Sequence, residues 1–218
     1  MAISKKLETI YHNGQPDGIR SIRRNLSTMT VYVIPRPLLA EAKTISGINR
    51  PGIYYLINEN DDNKIAQIYV GQTRNGILRL DDHNRSKDFW NKAIMFLADN
   101  KTFSLDMISG LEKFAIIKAQ ESKRYKVENT VVPKYEIDEY DMASVEEIYD
   151  EIQFIMGTQG YKMDNVKSST SSDIFHTTRN GISALGIYDG EKFQVLEGSQ
   201  ININKPVHLA RYNKQRAE

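Results

Sequence analysis

The sequence predicts an α+β fold, a small mixed β-sheet flanked by helices, with small β-rich modules towards both ends of the chain. Two runs of apolar and aromatic residues, 52–57 and 65–71, are separated by a polar turn at 58–64 and predict a hairpin. A long helical pattern covers 105–123. Short strand-like runs near both termini complete the pattern.

The composition excludes several classes of protein. The 218 residues are 40% hydrophobic and 26% charged, as in ordinary globular proteins. No cysteine occurs, which excludes disulfide scaffolds, cysteine-ligated metals and thiol nucleophiles, so any metal must bind through oxygen or imidazole. The chain has neither an apolar run of about 20 residues nor a signal-peptide stretch. We therefore expect a cytoplasmic protein with no membrane partner.

The N-terminal segment, 1–47, is predicted to be rich in strands. Runs 7–12 and 30–35 alternate in the manner of strands, and turn residues follow the first of them. Pro37 suits a first helical turn, so it predicts a short helix over 38–43.

The central segment, 48–135, contains the hairpin and the long helix. Asn75-Gly76 starts a polar helix that runs to about Asn84, and the compact apolar run 93–98 predicts a buried strand. Ser104 is placed to cap the helix over 105–123.

Three further segments follow this core. Residues 136–161 predict an acidic amphipathic helix that packs on the core, and Ser144 and Glu147 have the spacing of a capping box at its start. Residues 162–173 are rich in Ser and Thr and read as a linker. The last segment, 174–218, predicts a small β module with strands at 174–179, 182–188 and 193–196.

The net charge of +1 conceals an uneven distribution. An acidic block at 136–151 separates two basic ends. This distribution fits either a scattered solvated surface or one phosphate-binding face. The basic residues considered for nucleic-acid binding are Arg20, Arg23, Arg24, Lys205 and Arg211, with Lys214 and Arg216 beside them.

One carboxylate stands where the helical pattern expects an apolar residue. At about 100° per residue, Glu112 falls inside the apolar arc of the long helix, between the directions of Leu105 and Ala119. Burying an ionised carboxylate costs several kcal/mol unless a cation or donors meet it. We expect a positive group to face Glu112, whether in a buried ion pair, at the margin of the arc, or in a functional site.

Four other side chains extend this pattern. Tyr54 and Tyr69 sit on neighbouring strands and could share a face, and Arg79 and His83 are four residues apart on one helix. Each alone is ordinary packing or solvated surface. Together with Glu112 they supply a proton acceptor, a cation and a metal ligand, the groups that metal-assisted cleavage of a phosphodiester requires.

The motifs resemble the GIY-YIG nuclease superfamily over 48–135. Pro51-Gly52-Ile53-Tyr54 and Ile68-Tyr69-Val70-Gly71 occur in order, followed by Arg79, His83, Glu112 and Asn129, with Tyr-Val-Gly in place of Tyr-Ile-Gly. Segment 17–36 resembles the part preceding the core in many bacterial members. Segment 193–199 resembles one stretch of a C-terminal domain of unknown function often found in such proteins, and we expect that domain to be only partly present.

The resemblance implies a role for each matching residue. Glu112 would hold Mg²⁺ or Mn²⁺, and Tyr54 would activate or position the attacking water. Arg79 would stabilise charge on the phosphate, while Tyr69 and His83 would orient the water, the base or the scissile group. Asn129 would help to position the backbone.

The leading hypothesis is therefore a metal-dependent DNA endonuclease of restriction, repair or mobile-element function. Cleavage of both strands would require a homodimer or two successive events. The rival hypothesis is a non-catalytic DNA-binding or partner-binding module that keeps the fold. A nuclease toxin that cleaves RNA is a third, which the resemblance disfavours.

Overall fold

The computed structural model describes residues 4–58, 66–99 and 103–163 of the N-terminal part of the chain. Near the C-terminus it describes residues 174–179, 181–188, 193–196 and 198–200. The chain divides into two compact units, Met1–Asn165 and Val166–Glu218. The first carries every sequence-predicted catalytic residue.

The first unit is built on a seven-stranded mixed sheet with the strand order β1-β2-β3-β6-β4-β5-β7. Neighbouring strands are antiparallel except for β5 and β7, which are parallel. The strands are β1 (Leu7–Tyr11), β2 (Arg20–Arg24), β3 (Met29–Pro35), β4 (Gly52–Asn58), β5 (Gln67–Thr73), β6 (Lys92–Ala98) and β7 (Lys126–Val127).

Helices cover both faces of this sheet. They are α1 (Leu39–Ala42), α2 (Leu78–Ser86), α3 (Leu105–Ser122) and α4 (Glu139–Thr158), with a 3₁₀ turn at Arg36–Leu38. Helices α3 and α4 pack on the face that carries Ile53 and Tyr55, and α1 and α2 pack on the face that carries Tyr54. Because β4 and β6 are covered on both sides, their sequences are continuous apolar runs rather than alternating ones.

The α+β prediction is confirmed, and the elements at 52–57, 93–98 and 105–123 correspond to β4, β6 and α3. The turn placed at 58–64 lies almost entirely outside the described residues. Strand β2 was not predicted, because Arg20–Arg24 has one apolar residue and no alternating pattern. Segment 1–47 contributes β1, β2 and β3 to the same sheet as the core, since β3 pairs with β6 along its whole length.

The predicted start of the acidic helix was wrong. Helix α4 begins five residues earlier than Ser144, at Glu139, and Asp138 caps it by accepting a hydrogen bond from the Asp141 backbone N at 2.9 Å. Asp138 can cap the helix with its carboxylate, and acidic groups in the first turn are stabilised by the helix dipole. Ser144 lies within the helix.

The second unit contains a three-stranded antiparallel sheet in the order β10-β9-β8. The strands are β8 (Ile174–Arg179), β9 (Ile182–Tyr188) and β10 (Phe193–Val195). Within the described ranges of both units, no helix has the length and apolar character that crossing a membrane requires.

Candidate active site

Tyr54 and Tyr69 lie on one face of the sheet. In the β4–β5 register, Tyr54 is opposite Gly71 and Leu56 is opposite Tyr69, so the two tyrosines are diagonal neighbours. Their ring centroids are 6.4 Å apart. The structure thus brings these two residues together.

Gly71 makes room for the Tyr54 ring. A Cβ atom at residue 71 would overlap the Tyr54 hydroxyl, and its next contact would be the ring carbon Cζ at 2.5 Å. The phenol therefore crosses β5 where that strand has no side chain. The position of the Tyr54 hydroxyl therefore requires glycine at residue 71, because any side chain there would displace the phenol.

Helix α2 places His83 against both tyrosines. The His83 Nε2 and the Tyr54 hydroxyl form a hydrogen bond of 2.5 Å, and the His83 ring centroid is 5.3 Å from that of Tyr69. His83 is only 4% exposed. Its Nδ1 is buried, and no hydrogen-bond partner for it is found among the described residues.

The environment keeps His83 neutral. Burial, and then the positive charges of Arg79 and Lys87, lower the pKa of His83 to about 4. At neutral pH the imidazole therefore has one proton and one lone pair. The same burial shifts the pKa of Tyr54 in the other direction: burial and the neighbouring Tyr69 raise the pKa of its phenol, although Arg79 opposes this effect. The resting pair is thus uncharged.

Arg79 stands one helical turn before His83, at the edge of the site. Its Nη1 is 3.1 Å from Asp82 Oδ2, and its side chain is about half exposed, at 48%. Arg79 opposes the burial-driven rise in the pKa of both Tyr54 and Tyr69. An exposed guanidinium whose charge acts on the phenols can also contact a phosphate presented from solvent.

Glu112 meets amide donors rather than a cation. Its Oε1 accepts a hydrogen bond from the Gln72 backbone N at 3.1 Å, and its Oε2 accepts one from Gln72 Nε2 at 2.9 Å. Among the described side chains, the positive charge that acts on Glu112 is that of Arg79, which makes no ion pair with the carboxylate. Burial raises the pKa of the Glu112 carboxyl, while Gln72 and Arg79 oppose that rise.

Gln72 was missed by the sequence analysis. It follows the Tyr69-Val70-Gly71 motif directly, at the end of β5 where α3 crosses, and its Oε1 is 3.3 Å from Ser109 Oγ. Its position immediately after the motif was the available signal.

Asn129 binds the backbone of β5. Its Oδ1 accepts a hydrogen bond from the Val70 N at 2.9 Å, and its Nδ2 donates one to the Val70 carbonyl at 2.8 Å. The Asn129 side chain thus provides hydrogen-bond partners for the backbone of β5 just beyond the point where its pairing with the two-residue strand β7 ends. Asn129 therefore holds the segment between Tyr69 and Gly71 in place through its two bonds to the Val70 backbone.

The basic residues of β2 lie away from this site. Strand β2 is separated from β4 by β3 and β6, and neighbouring strands are about 4.8 Å apart. Arg23 pairs with Asp99 and Arg24 pairs with Glu151, each at 2.6 Å. Arg20 is on the same face of β2 as Arg24 and Ile22, opposite to that of Tyr54. Lys205, Arg211, Lys214 and Arg216 lie outside the described residues.

An open depression of 460 Å³ lies beside the start of α2 and the end of β5. Arg79 and Gln72 border it, so the guanidinium and the residue that holds Glu112 face the same space. Its other lining residues are Thr73, Arg74, Asn75, Leu78 and Asp82.

The donor set suits a divalent cation that shares its coordination with a substrate. In the part of the chain that the structure describes, no cluster of three or more His, Asp and Glu side chains is arranged to hold a metal. Mg²⁺ commonly binds through one or two carboxylates, several waters and substrate phosphates. A carboxylate has about four lone-pair sites. Gln72 engages two on Glu112, so Glu112 retains the capacity to ligate such an ion.

Comparison with known protein families supports the resemblance. A family model described as the GIY-YIG catalytic domain matches residues 50–136, which confirms the resemblance found in the sequence. No curated protein and no solved structure matches the chain significantly. The matched segment contains every residue of the cluster around Tyr54, from β4 to Asn129.

Proposed function

We propose that the protein is a metal-dependent endonuclease that hydrolyses phosphodiester bonds in DNA, because residues 50–136 match the family model of the GIY-YIG catalytic domain, a nuclease domain. The observation that carries this proposal is the 2.5 Å hydrogen bond between the Tyr54 hydroxyl and His83 Nε2, beside Arg79 and Glu112. A binding module has no need of a buried proton path.

Tyr54 and His83 form that path. A phenol is a poor base at neutral pH, and burial makes the free phenolate still less accessible. His83 gives that proton a defined acceptor, because its Nε2 can take the Tyr54 proton while the phenol oxygen takes one from the attacking water. Burial and the nearby cations disfavour the imidazolium that forms, so this transfer would depend on the negative charge of the bound phosphate beside it. The water oxygen then bonds to phosphorus, the bond to the leaving oxygen breaks, and solvent protonates that oxygen. This route needs the His83 tautomer with its proton on Nδ1.

Arg79 supplies positive charge to the phosphate. Its half-exposed guanidinium borders the open depression, where a phosphate could approach from solvent. Extra negative charge on the phosphoryl oxygens in the transition state would strengthen this contact. Its pairing with Asp82 restricts the side chain, so less ordering is needed when substrate binds.

Glu112 would hold the divalent ion, Mg²⁺ or Mn²⁺, which when bound supplies positive charge against the phosphate oxygens. Gln72 orients the carboxylate for that task by engaging both of its oxygens. Tyr69 packs against His83 and, in this proposal, orients the attacking water.

DNA is the proposed substrate, in restriction, repair or mobile-element function. The proposed compartment is the cytoplasm. One active site cuts one strand in each encounter, so cleavage of both strands would need a homodimer or two successive events. RNA is the less favoured substrate.

Plasmid nicking tests the proposal. Supercoiled plasmid incubated with the full chain and Mg²⁺ or Mn²⁺ should become nicked, and Glu112→Ala should abolish this. Glu121→Ala is the matched control, because Glu121 is an exposed glutamate on the same helix that pairs only with Lys118 among the described residues. A wild-type chain that retains plasmid without nicking it would contradict the proposal and favour a binding module. Labelled RNA in place of plasmid tests the third hypothesis.

A further inference from the structure

Lys87 places a cation just beyond the C-terminal end of α2, the helix that carries Arg79 and His83. It follows the last residue of the helix, and its backbone N donates to the His83 carbonyl at 2.9 Å. Arg79 and His83 are four residues apart on one side of α2, and Lys87 contacts the same Tyr69 ring as His83. The Lys87 Nζ lies 4.5 Å from the centroid of the Tyr69 ring.

The charge of Lys87 is not committed to a carboxylate. Among the described residues, no Asp or Glu oxygen lies within ion-pairing distance of its Nζ. Glu128, whose carboxyl senses the charge of Lys87, instead pairs with Lys126 at 2.7 Å and accepts from Gln67 at 2.8 Å. A cation–π contact holds Lys87 beside the site, but it does not neutralise the ammonium group.

The position of Lys87 suits a second phosphate. Eight residues separate it from Arg79, which corresponds to roughly 12 Å along a helix axis. A nucleic-acid strand advances about 3.4 Å per nucleotide along a duplex. The two cations are therefore about three to four nucleotides apart, so a strand that presents its scissile phosphate to Arg79 would present a different phosphate to Lys87.

We propose that Lys87 binds a backbone phosphate a few nucleotides from the scissile bond and so orients the strand across Tyr69 and Tyr54. This inference rests on the proposed nuclease function and adds a positioning residue to it. Lys87 leaves the Tyr69 ring when the phosphate binds. The contact carries no base specificity, because phosphate contacts set register rather than read sequence.

The salt dependence of DNA binding tests this role separately from cleavage. A labelled DNA duplex is titrated without metal with the full chain, Lys87→Gln and Lys87→Arg, and the anisotropy is followed from low to moderate salt. Loss of one phosphate contact should reduce the slope of log K against log salt by about 0.9 in Lys87→Gln. Lys87→Arg should keep the wild-type slope. Lys87→Glu is the second charge variant and should reduce the slope at least as much as Lys87→Gln.

Arg85→Gln is the matched control. Arg85 is an exposed cation on the same helix, turned about 200° from His83. We expect its loss to leave the slope nearly unchanged. An unchanged slope in both Lys87→Gln and Lys87→Glu, or an equal decrease in Arg85→Gln, would overturn the inference. A lower thermal midpoint in these Lys87 variants with an unchanged slope would assign the residue to packing on Tyr69 alone.

The two proposals fail in different ways. A wild-type chain that nicks plasmid while Lys87→Gln and Lys87→Glu bind with the wild-type slope overturns only the role of Lys87. A wild-type chain that binds DNA through Lys87 but never nicks it overturns the nuclease and leaves a binding surface. A chain that binds neither DNA nor RNA overturns both.

Discussion

Gln72 donates hydrogen bonds to both oxygens of the Glu112 carboxylate, one from its backbone and one from its side chain. The backbone bond ties α3 to the end of β5, and the side-chain bond fixes the rotation of the carboxylate. The group that we expect to hold the divalent ion is thus oriented by a residue that itself carries no charge.

Removal of the Gln72 amide should impair catalysis more than folding. Gln72→Leu keeps the backbone donor and loses the side-chain donor, so we expect a 10- to 100-fold lower nicking rate, the usual loss for a residue that orients a metal ligand. Gln67→Leu, at the other end of β5, should retain wild-type activity. Equal activity in the two variants would contradict the orienting role.

Tyr54 and His83 should act as one unit. Tyr54→Phe and His83→Gln should each lower the nicking rate by roughly 10² to 10⁴, the range expected for a proton-transfer group. The double variant should be little slower than the slower single variant, because both changes interrupt the same path. Single-turnover rates at a fixed metal concentration measure this. Losses that multiply would indicate two independent roles.

Burial of neutral His83 should make stability depend on pH. The pKa of His83 is about 4 in the folded chain and near 6.5 when unfolded, so between these values the unfolded state binds a proton that the native state does not. This contribution is fully present above pH 6.5 and is lost as the pH falls towards 4. Urea unfolding at pH 7 and 4.5 should show a loss on the order of 2 kcal/mol. That loss should be absent in His83→Gln, and an identical pH dependence in both proteins would contradict it.

Gly71→Ala should disturb the active site through a single methyl group. The added Cβ would overlap the Tyr54 hydroxyl, so we expect the phenol to shift, the nicking rate to fall and the free energy of unfolding to decrease by about 1–3 kcal/mol. Gly157→Ala is the matched control. Gly157 lies in α4 with no atom within 4 Å of the added Cβ, and alanine favours the helix. Thermal denaturation and nicking assays distinguish the two, and wild-type behaviour of Gly71→Ala would show that the phenol tolerates displacement.

The sequence was sufficient to predict features that depend on local pattern. The tyrosines were placed on neighbouring strands because the aromatic runs and the polar turn predict a hairpin, and the Arg79–His83 spacing followed from helix periodicity. Glu112 was recognised because it interrupts an apolar arc. Each of these inferences depends only on the spacing of residues that lie close together in the sequence.

Features that depend on distant contacts could not be predicted. Gln72 and Glu112 are 40 residues apart, and the packing of α3 against β5 that joins them is visible only in the fold. Arg24 was considered for phosphate binding because it is basic, but its partner, Glu151, lies 127 residues away. The presence of strand β2 could not be predicted either. Only one of its five residues is apolar, so its strand conformation depends on pairing with its neighbours rather than on its own sequence.

The β3–β6 pairing has a practical consequence for work on this protein. All seven residues of β6 are paired with β3, which precedes the family-matched segment. Excising residues 50–136 would leave one side of β6 with open amide and carbonyl groups, an arrangement that invites self-association. The smallest soluble fragment should therefore retain the first three strands. The fragment to be purified is thus longer at its N-terminal end than the segment that matches the family model.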